Sequence, residues 1–167
     1  MSPRARAPCV AHGASSLDHE RRLMRGLRAL AGDQPLRMRV LGECMAPLAR
    51  DGELVEIAPA RFYWPGDVIA FRREDGTFVV HRLVGYRPRF RRLALVMITQ
   101  GDQCASWDAP LSIDQVIGKI RGGECSPLLV TVPLRHRLRT IVRFAGLATA
   151  RLLLRLRRGL YDRGWQR

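Results

Sequence analysis

The sequence has almost no lysine: Lys119 is the only one, and every other basic side chain is arginine. Acids are scarce too, with 15 Asp and Glu against 29 Lys and Arg, a formal charge of +14. That excess points to a polyanionic neighbour, either nucleic acid or an anionic membrane surface. Arg-favouring codon usage in a GC-rich genome would account for part of it. Aromatics make up only 7%, and there is no helix-turn-helix pattern or basic-aromatic strand, which disfavours nucleic acid. The four cysteines, Cys9, Cys44, Cys104 and Cys125, form no CxxC pair and no Cys/His set at zinc spacing. Cys9 and His12 are three apart but have no further partner nearby, so no metal site is expected. Scattered thiols fit a reducing compartment better than a disulfide framework. No stretch of about 18 apolar residues occurs, and no apolar segment follows the basic opening residues. Neither a conventional spanning helix nor a signal peptide is therefore expected, and the predicted location is cytoplasmic or peripheral at a membrane.

What is present is material for one domain: 167 residues, 47% of them hydrophobic, which excludes wholesale disorder. Composition divides the chain at about residues 35 and 132. Residues 1–16 read as a loose tail, and Ser16 can cap a short helix carrying Leu23, Leu27 and Leu30, with Gly32 near its end. From 36 to 132 the chain alternates short apolar runs (LRMRVL, ELVEIA, GDVIAF, TFVVHRLVGY, RLALVMIT, QVIGKI) with Gly, Pro and Asp. Asp75-Gly76 between two runs suits a tight primed hairpin turn. Many short strands without long intervening helices imply a mainly β, coiled antiparallel domain. Residues 133–167 read as an amphipathic helix. Leu138, Ile141, Val142, Ala145, Ala148, Leu152, Leu153, Leu156 and Leu160 share one side, and Arg139, Arg143, Arg151, Arg155 and Arg158 the other. Phe144, Leu147 and Leu154 interrupt the polar side.

Three segments carry residues able to do chemistry. Cys44 sits in a turn after Gly42, where a nucleophile would be exposed and a backbone N–H free to hold an oxyanion. A small buried hydrophobe is the alternative reading of this thiol. His81 alternates onto one strand face with Val79 and Leu83, opposite Val80 and Arg82. Gly101-Asp102 reads as a turn in which the carboxylate bonds nearby amides, and Asp108 follows six residues later.

In order, GxCMxP (Gly42, Cys44, Met45, Pro47), GDVIxF, VxHR, GDxxxxxD and VIGKI resemble the signal peptidase I family, which shares a clan with the LexA-like peptidases. The similarity is to the endoplasmic-reticulum and archaeal type and spans roughly residues 38–121. It implies that Cys44 stands where the family has its nucleophilic Ser, His81 where it has the general base, and Asp108 where it has the acid that orients the His. Gly101 and Asp102 match the pair that shapes the loop, and Met45 and Pro47 the box that fixes the nucleophile turn. The family's fold, a coiled β domain with a groove that reads substrate by strand addition, agrees with the strand pattern.

Two departures matter. The nucleophile is Cys, not Ser, and no apolar anchor precedes the box. A thiol beside an imidazole is a competent nucleophile because His lowers its pKa, which would make Cys44–His81–Asp108 a Cys-His-Asp triad. The resemblance thus implies an endopeptidase cleaving next to small residues in an extended peptide or protein substrate, with no metal or organic cofactor. Its alternatives are an inactive peptide-binding or membrane-surface module on the same fold, and a self-cleaving LexA-like regulator. The basic helix carries too many Arg to cross a bilayer. It suits an anionic interface, with Arg139, Arg143, Arg151, Arg155 and Arg158 reaching the phosphates. Packing on the domain or on a partner protein is the competing use.

Overall fold

A computed structural model of the chain describes residues 13–89 and 94–164, with the side chains of the two terminal helices described from Asp18 to Ala150. The molecule is mainly β. Six strands form one antiparallel sheet: β1 (Leu36–Arg39), β2 (Leu54–Ala58), β3 (Val68–Arg72), β4 (Phe78–Arg89), β5 (Ala94–Gln100) and β6 (Val116–Gly123), in the order β1-β2-β6-β3-β4-β5. Each of the six apolar runs forms one strand. The central strand β3 has Val68, Ile69, Ala70 and Phe71 all buried because both its faces are covered. Period-two alternation divides them: Val68 and Ala70 enter one core with Val55, Ile57 and Ile117, while Ile69 and Phe71 enter another with Leu83, Met97 and Leu111. His81 pairs across from Ile69 and lies edge-on to Phe71, on the second of these faces.

β3 and β4 form the hairpin expected at Asp75-Gly76, but its turn is not of the tight primed kind. Arg73 N donates to Thr77 O, Gly76 N donates to Arg73 O, and Gly76 has φ 89°. That is a three-residue loop closed by a left-handed glycine, and Asp75 holds it through the Thr77 N–H and hydroxyl.

Helix α1 (Gly13–Asp33) begins before Ser16, which therefore lies inside the helix and does not open it. Its buried stripe is Met24 and Ala31 with Leu27 packed beside them, while Leu23 and Leu30 face outward. Arg28 fixes that rotation by donating to the carbonyls of Val116 and Ile113. A short helix that the strand reading missed, α2 (Pro127–Val130), is capped by Ser126 and buries Leu129.

Helix α3 (Leu134–Gly164) extends along the basic C-terminal segment. Among the described side chains its docked stripe is Arg137, Thr140 and Phe144, not Leu138, Ile141 and Val142, while Leu152, Leu153, Leu154, Leu156 and Leu160 lie outside the described side chains. Phe144 lies against Gly85 and stacks 5.2 Å from Trp107, and Arg137 donates to Pro65 O and to the buried Asp67 carboxylate. Phe144, an interruption of the polar side on a helical wheel, is in fact the contact. Leu134, Leu138, Ile141 and Val142 stay exposed. Among the described residues no helix is long and apolar enough to cross a membrane.

Candidate active site

Cys44 lies in the turn that follows β1. Gly42 takes φ 80°, a conformation that costs glycine little, and its N–H donates to the Asp51 carboxylate. The fully buried Met45 anchors the turn in the first core, Pro47 follows a cis Ala46–Pro47 bond at the surface, and Cys44 is partly buried. Gln103 clamps the turn from outside. Its N–H donates to Cys44 O and its side-chain amide to Ala46 O. Among the described residues no backbone carbonyl accepts from the Cys44 N–H.

His81 is buried in β4, only 3% exposed. Its Nδ1 lies 2.6 Å from Asp108 Oδ2. That carboxylate oxygen also accepts from the Thr99 hydroxyl at 2.8 Å, and Asp108 Oδ1 accepts from Arg73 at 2.7 Å. The Asp108 N–H donates to Thr99 O, tying the acid to the end of β5. Burial alone would raise the Asp108 carboxyl. The hydrogen bonds from His81 and Thr99, the His81 charge and the Arg73 bond outweigh it and hold the group below its ordinary value.

Gly101 joins the two halves. A Cβ built on it would lie 3.0 Å from His81 Nε2, 3.0 Å from Cys44 O and 2.8 Å from Cys104 Sγ. The imidazole therefore turns Nδ1 to the carboxylate and Nε2 towards the Cys44 turn. Asp102 does not bond local amides as predicted. It forms a two-pronged pair with Arg82 at 2.8 and 2.6 Å, and Arg82 also donates to Gly66 O. The pair fastens the 101–104 turn to β4.

The Cys44 thiol departs from expectation. Burial pushes its pKa up, and the neighbouring Cys104 adds to the effect. The Cys44 N–H and Arg73 only partly oppose this. Cys44 is therefore a neutral thiol at pH 7, not a preformed thiolate. Cys44, Cys104 and Cys125 are all free.

Sequence reasoning named Cys44, His81 and Asp108 but missed Thr99, Arg73, Gln103 and Cys104. Only Gln103 and Cys104 had a local signal, their place inside the GDxxxxxD segment. Two cavities flank the site. One, of about 280 Å³, adjoins Gly101 and is lined by Arg82, Asp102, Trp107, His136, Arg139 and Arg143, among others. The other, of about 260 Å³, lies beyond Asp108 and includes Arg73, Glu74 and Asp75. Arg139 and Arg143 thus line a cavity in the domain, while Arg151, Arg155 and Arg158 fall within α3 with side chains outside the described residues. Cys9 and His12 also lie outside them. Among the described residues no group of three or more His, Cys, Asp or Glu is placed to hold a metal. The chain matches no family model, and no curated protein is significantly similar to it.

Proposed function

We propose that the protein is a cysteine-dependent endopeptidase on a coiled β fold of the signal peptidase and LexA-like type. The observation that carries this reading is the His81–Asp108 pair, with His81 Nε2 turned past Gly101 towards Cys44. Because the thiol is neutral, His81 must take its proton as sulfur attacks the scissile carbonyl carbon. The Cys44 N–H is available to the resulting oxyanion. Collapse breaks the C–N bond, His81 returns the proton to the leaving amine, and a thioester remains. Water, deprotonated by the same imidazole, then releases the acid and restores the thiol. Asp108, held by Thr99 and Arg73, keeps the proton on Nδ1 so that Nε2 can act as base. Cys44→Ala and His81→Ala should each abolish cleavage of an extended peptide. Undiminished cleavage by Cys44→Ala removes the proposal. A non-catalytic peptide-binding module is the second reading, favoured by the raised thiol pKa, and it requires that wild type cleave no peptide that it binds. Mass spectrometry of the incubated protein separates either from a self-cleaving regulator, which would yield internal fragments.

We infer in addition that the outer side of α3 meets an anionic membrane surface. Leu134 and Val142, each 70% exposed, and Leu138 form an apolar stripe beside Arg135, an arrangement suited to the headgroup boundary.

A further inference from the structure

Resting on the peptidase reading, we infer that the 280 Å³ cavity beside Gly101 is a substrate subsite for an acidic side chain close to the scissile bond. Gly101 forms part of its wall, and a Cβ built on it would lie 3.0 Å from both His81 Nε2 and the Cys44 carbonyl oxygen, so cavity and proposed chemistry adjoin one residue. A peptide crossing the Cys44 turn therefore delivers a neighbouring side chain into it.

Charge selects that side chain. The cavity holds three arginines against one carboxylate, Asp102, and Arg82 already neutralises Asp102 with two hydrogen bonds. Arg139 and Arg143 make no ion pair among the described residues, and His136 stands beside them. An Asp or Glu entering here meets two uncommitted guanidinium groups able to grip a carboxylate with paired N–H donors. Lys or Arg would meet like charge, and a neutral side chain would leave both guanidiniums without a partner. Trp107, Phe144 and Leu147 supply apolar wall for the methylenes of the entering chain. The cavity on the other flank, where Arg73 is paired with Asp108 and Glu74 and Asp75 remain, carries the opposite charge.

A protein of charge +14 attracts acidic peptides everywhere, so the test must separate the cavity from the general field. Quenched fluorescent peptides with alanine around a central bond would carry Glu, Gln or Lys at one flanking position at a time. Wild type should cleave the best Glu peptide at least about tenfold more efficiently than its Gln counterpart, and Arg139→Glu/Arg143→Glu should reverse the order in favour of Lys. Arg22→Glu/Arg25→Glu, an equal charge change on exposed positions of α1, should retain the Glu preference. Arg139→Gln/Arg143→Gln should abolish the preference without reversing it, and thermal melting confirms folding of each variant. Equal effects of the α1 and α3 charge reversals overturn the subsite. The same peptides bound to Cys44→Ala, read by fluorescence anisotropy, address the subsite without catalysis. A Glu preference there that Arg139→Glu/Arg143→Glu removes supports the subsite even if wild type cleaves nothing, an outcome that would count against the peptidase reading alone. Binding without Glu preference overturns the subsite while leaving peptidase activity to its own test.

Discussion

At the scale of single residues the site turns on Gly101, because three groups crowd the point where its side chain would be. A methyl there meets Cys104 Sγ, Cys44 O and His81 Nε2 at 3.0 Å or less, two of which belong to the proposed chemistry and one of which is backbone. Gly101→Ala should therefore cost at least tenfold in kcat/KM, since small misplacement of reacting groups is expensive, while circular dichroism shows the fold intact. Unchanged kinetics would mean that the Cys44 turn and the imidazole do not work together. Asp108 gives a second residue-level prediction. Its folded pKa lies below the ordinary 3.8, so the ionised carboxylate adds stability at pH above about 4, lost as pH falls through the folded value. Asp108→Asn should flatten that acid limb in denaturation curves. It should also cut kcat by roughly 10³–10⁴, the penalty of a base in the wrong tautomer. Cys44 moves in the opposite direction: with its pKa raised, alkylation by iodoacetamide should be slow at pH 7 and climb steadily through pH 9. Cys44, His81 and Asp108 were legible because each sits in a short box with its own spacing. Thr99 and Arg73 were not, because a hydroxyl on one strand and a guanidinium at a hairpin meet Asp108 only after β3, β4 and β5 have paired.

Among the elements, the described contacts of α3 with the domain centre on Arg137 and Phe144, which makes that docking easy to break. Arg137 reaches the buried Asp67, which Lys119 also approaches at 3.5 Å, and Phe144 fits over Gly85. A Cβ at Gly85 would lie 2.5 Å from the Phe144 ring, so Gly85→Val must push the helix off β4. Arg137→Ala leaves Asp67 with only its longer Lys119 contact and its Trp64 N–H, a loss of about 1–3 kcal/mol for a buried acceptor short of a partner. Both variants should speed tryptic cleavage within α3 while leaving the sheet's protection from hydrogen exchange in place. Slow cleavage in both would mean that other contacts hold the helix. The strands could be anticipated because period-two alternation and Gly/Asp punctuation are local signals, and β3 betrayed its central place by an unbroken apolar run. The rotation of α3 could not. A wheel ranks faces by hydrophobicity, and the choice of the Arg137–Phe144 stripe over Leu138, Ile141 and Val142 depends on Asp67 and Gly85, about 60–70 residues earlier in the chain. The same applies to α1, where Arg28 and its two carbonyl partners turn Met24 inward and leave Leu23 outside.

For the whole molecule the question is where the charge of +14 acts. Ten arginines and the single acid Asp162 lie between residues 135 and 167, so the excess is concentrated in the C-terminal segment of the sequence. Docking through Arg137 and Phe144 leaves an exposed surface in which Leu134, Leu138, Ile141 and Val142 run beside Arg135. On the adjoining loop Phe62 and Trp64 are also exposed, the latter next to the Pro65 carbonyl that Arg137 holds. Aromatic and aliphatic groups flanked by arginine favour a bilayer's headgroup region, where each cation near an anionic surface contributes about 1 kcal/mol. The protein should therefore float with phosphatidylserine-containing vesicles and remain behind with purely phosphatidylcholine ones. Salt near 1 M, which shortens the screening length to about 3 Å, should weaken that binding sharply. Leu134→Asp/Leu138→Asp/Val142→Asp should lose flotation while retaining any peptidase activity in solution, because none of the three touches the Cys44, His81 or Asp108 side chains. Removing residues 135–167 should also abolish flotation, but it takes away one wall of the acidic subsite as well, so peptide selectivity should fall with it. If the triple variant floats as well as wild type, the apolar stripe has no part in binding and the arginines alone hold the protein to the vesicle. If neither change affects flotation, α3 is not the membrane-facing element.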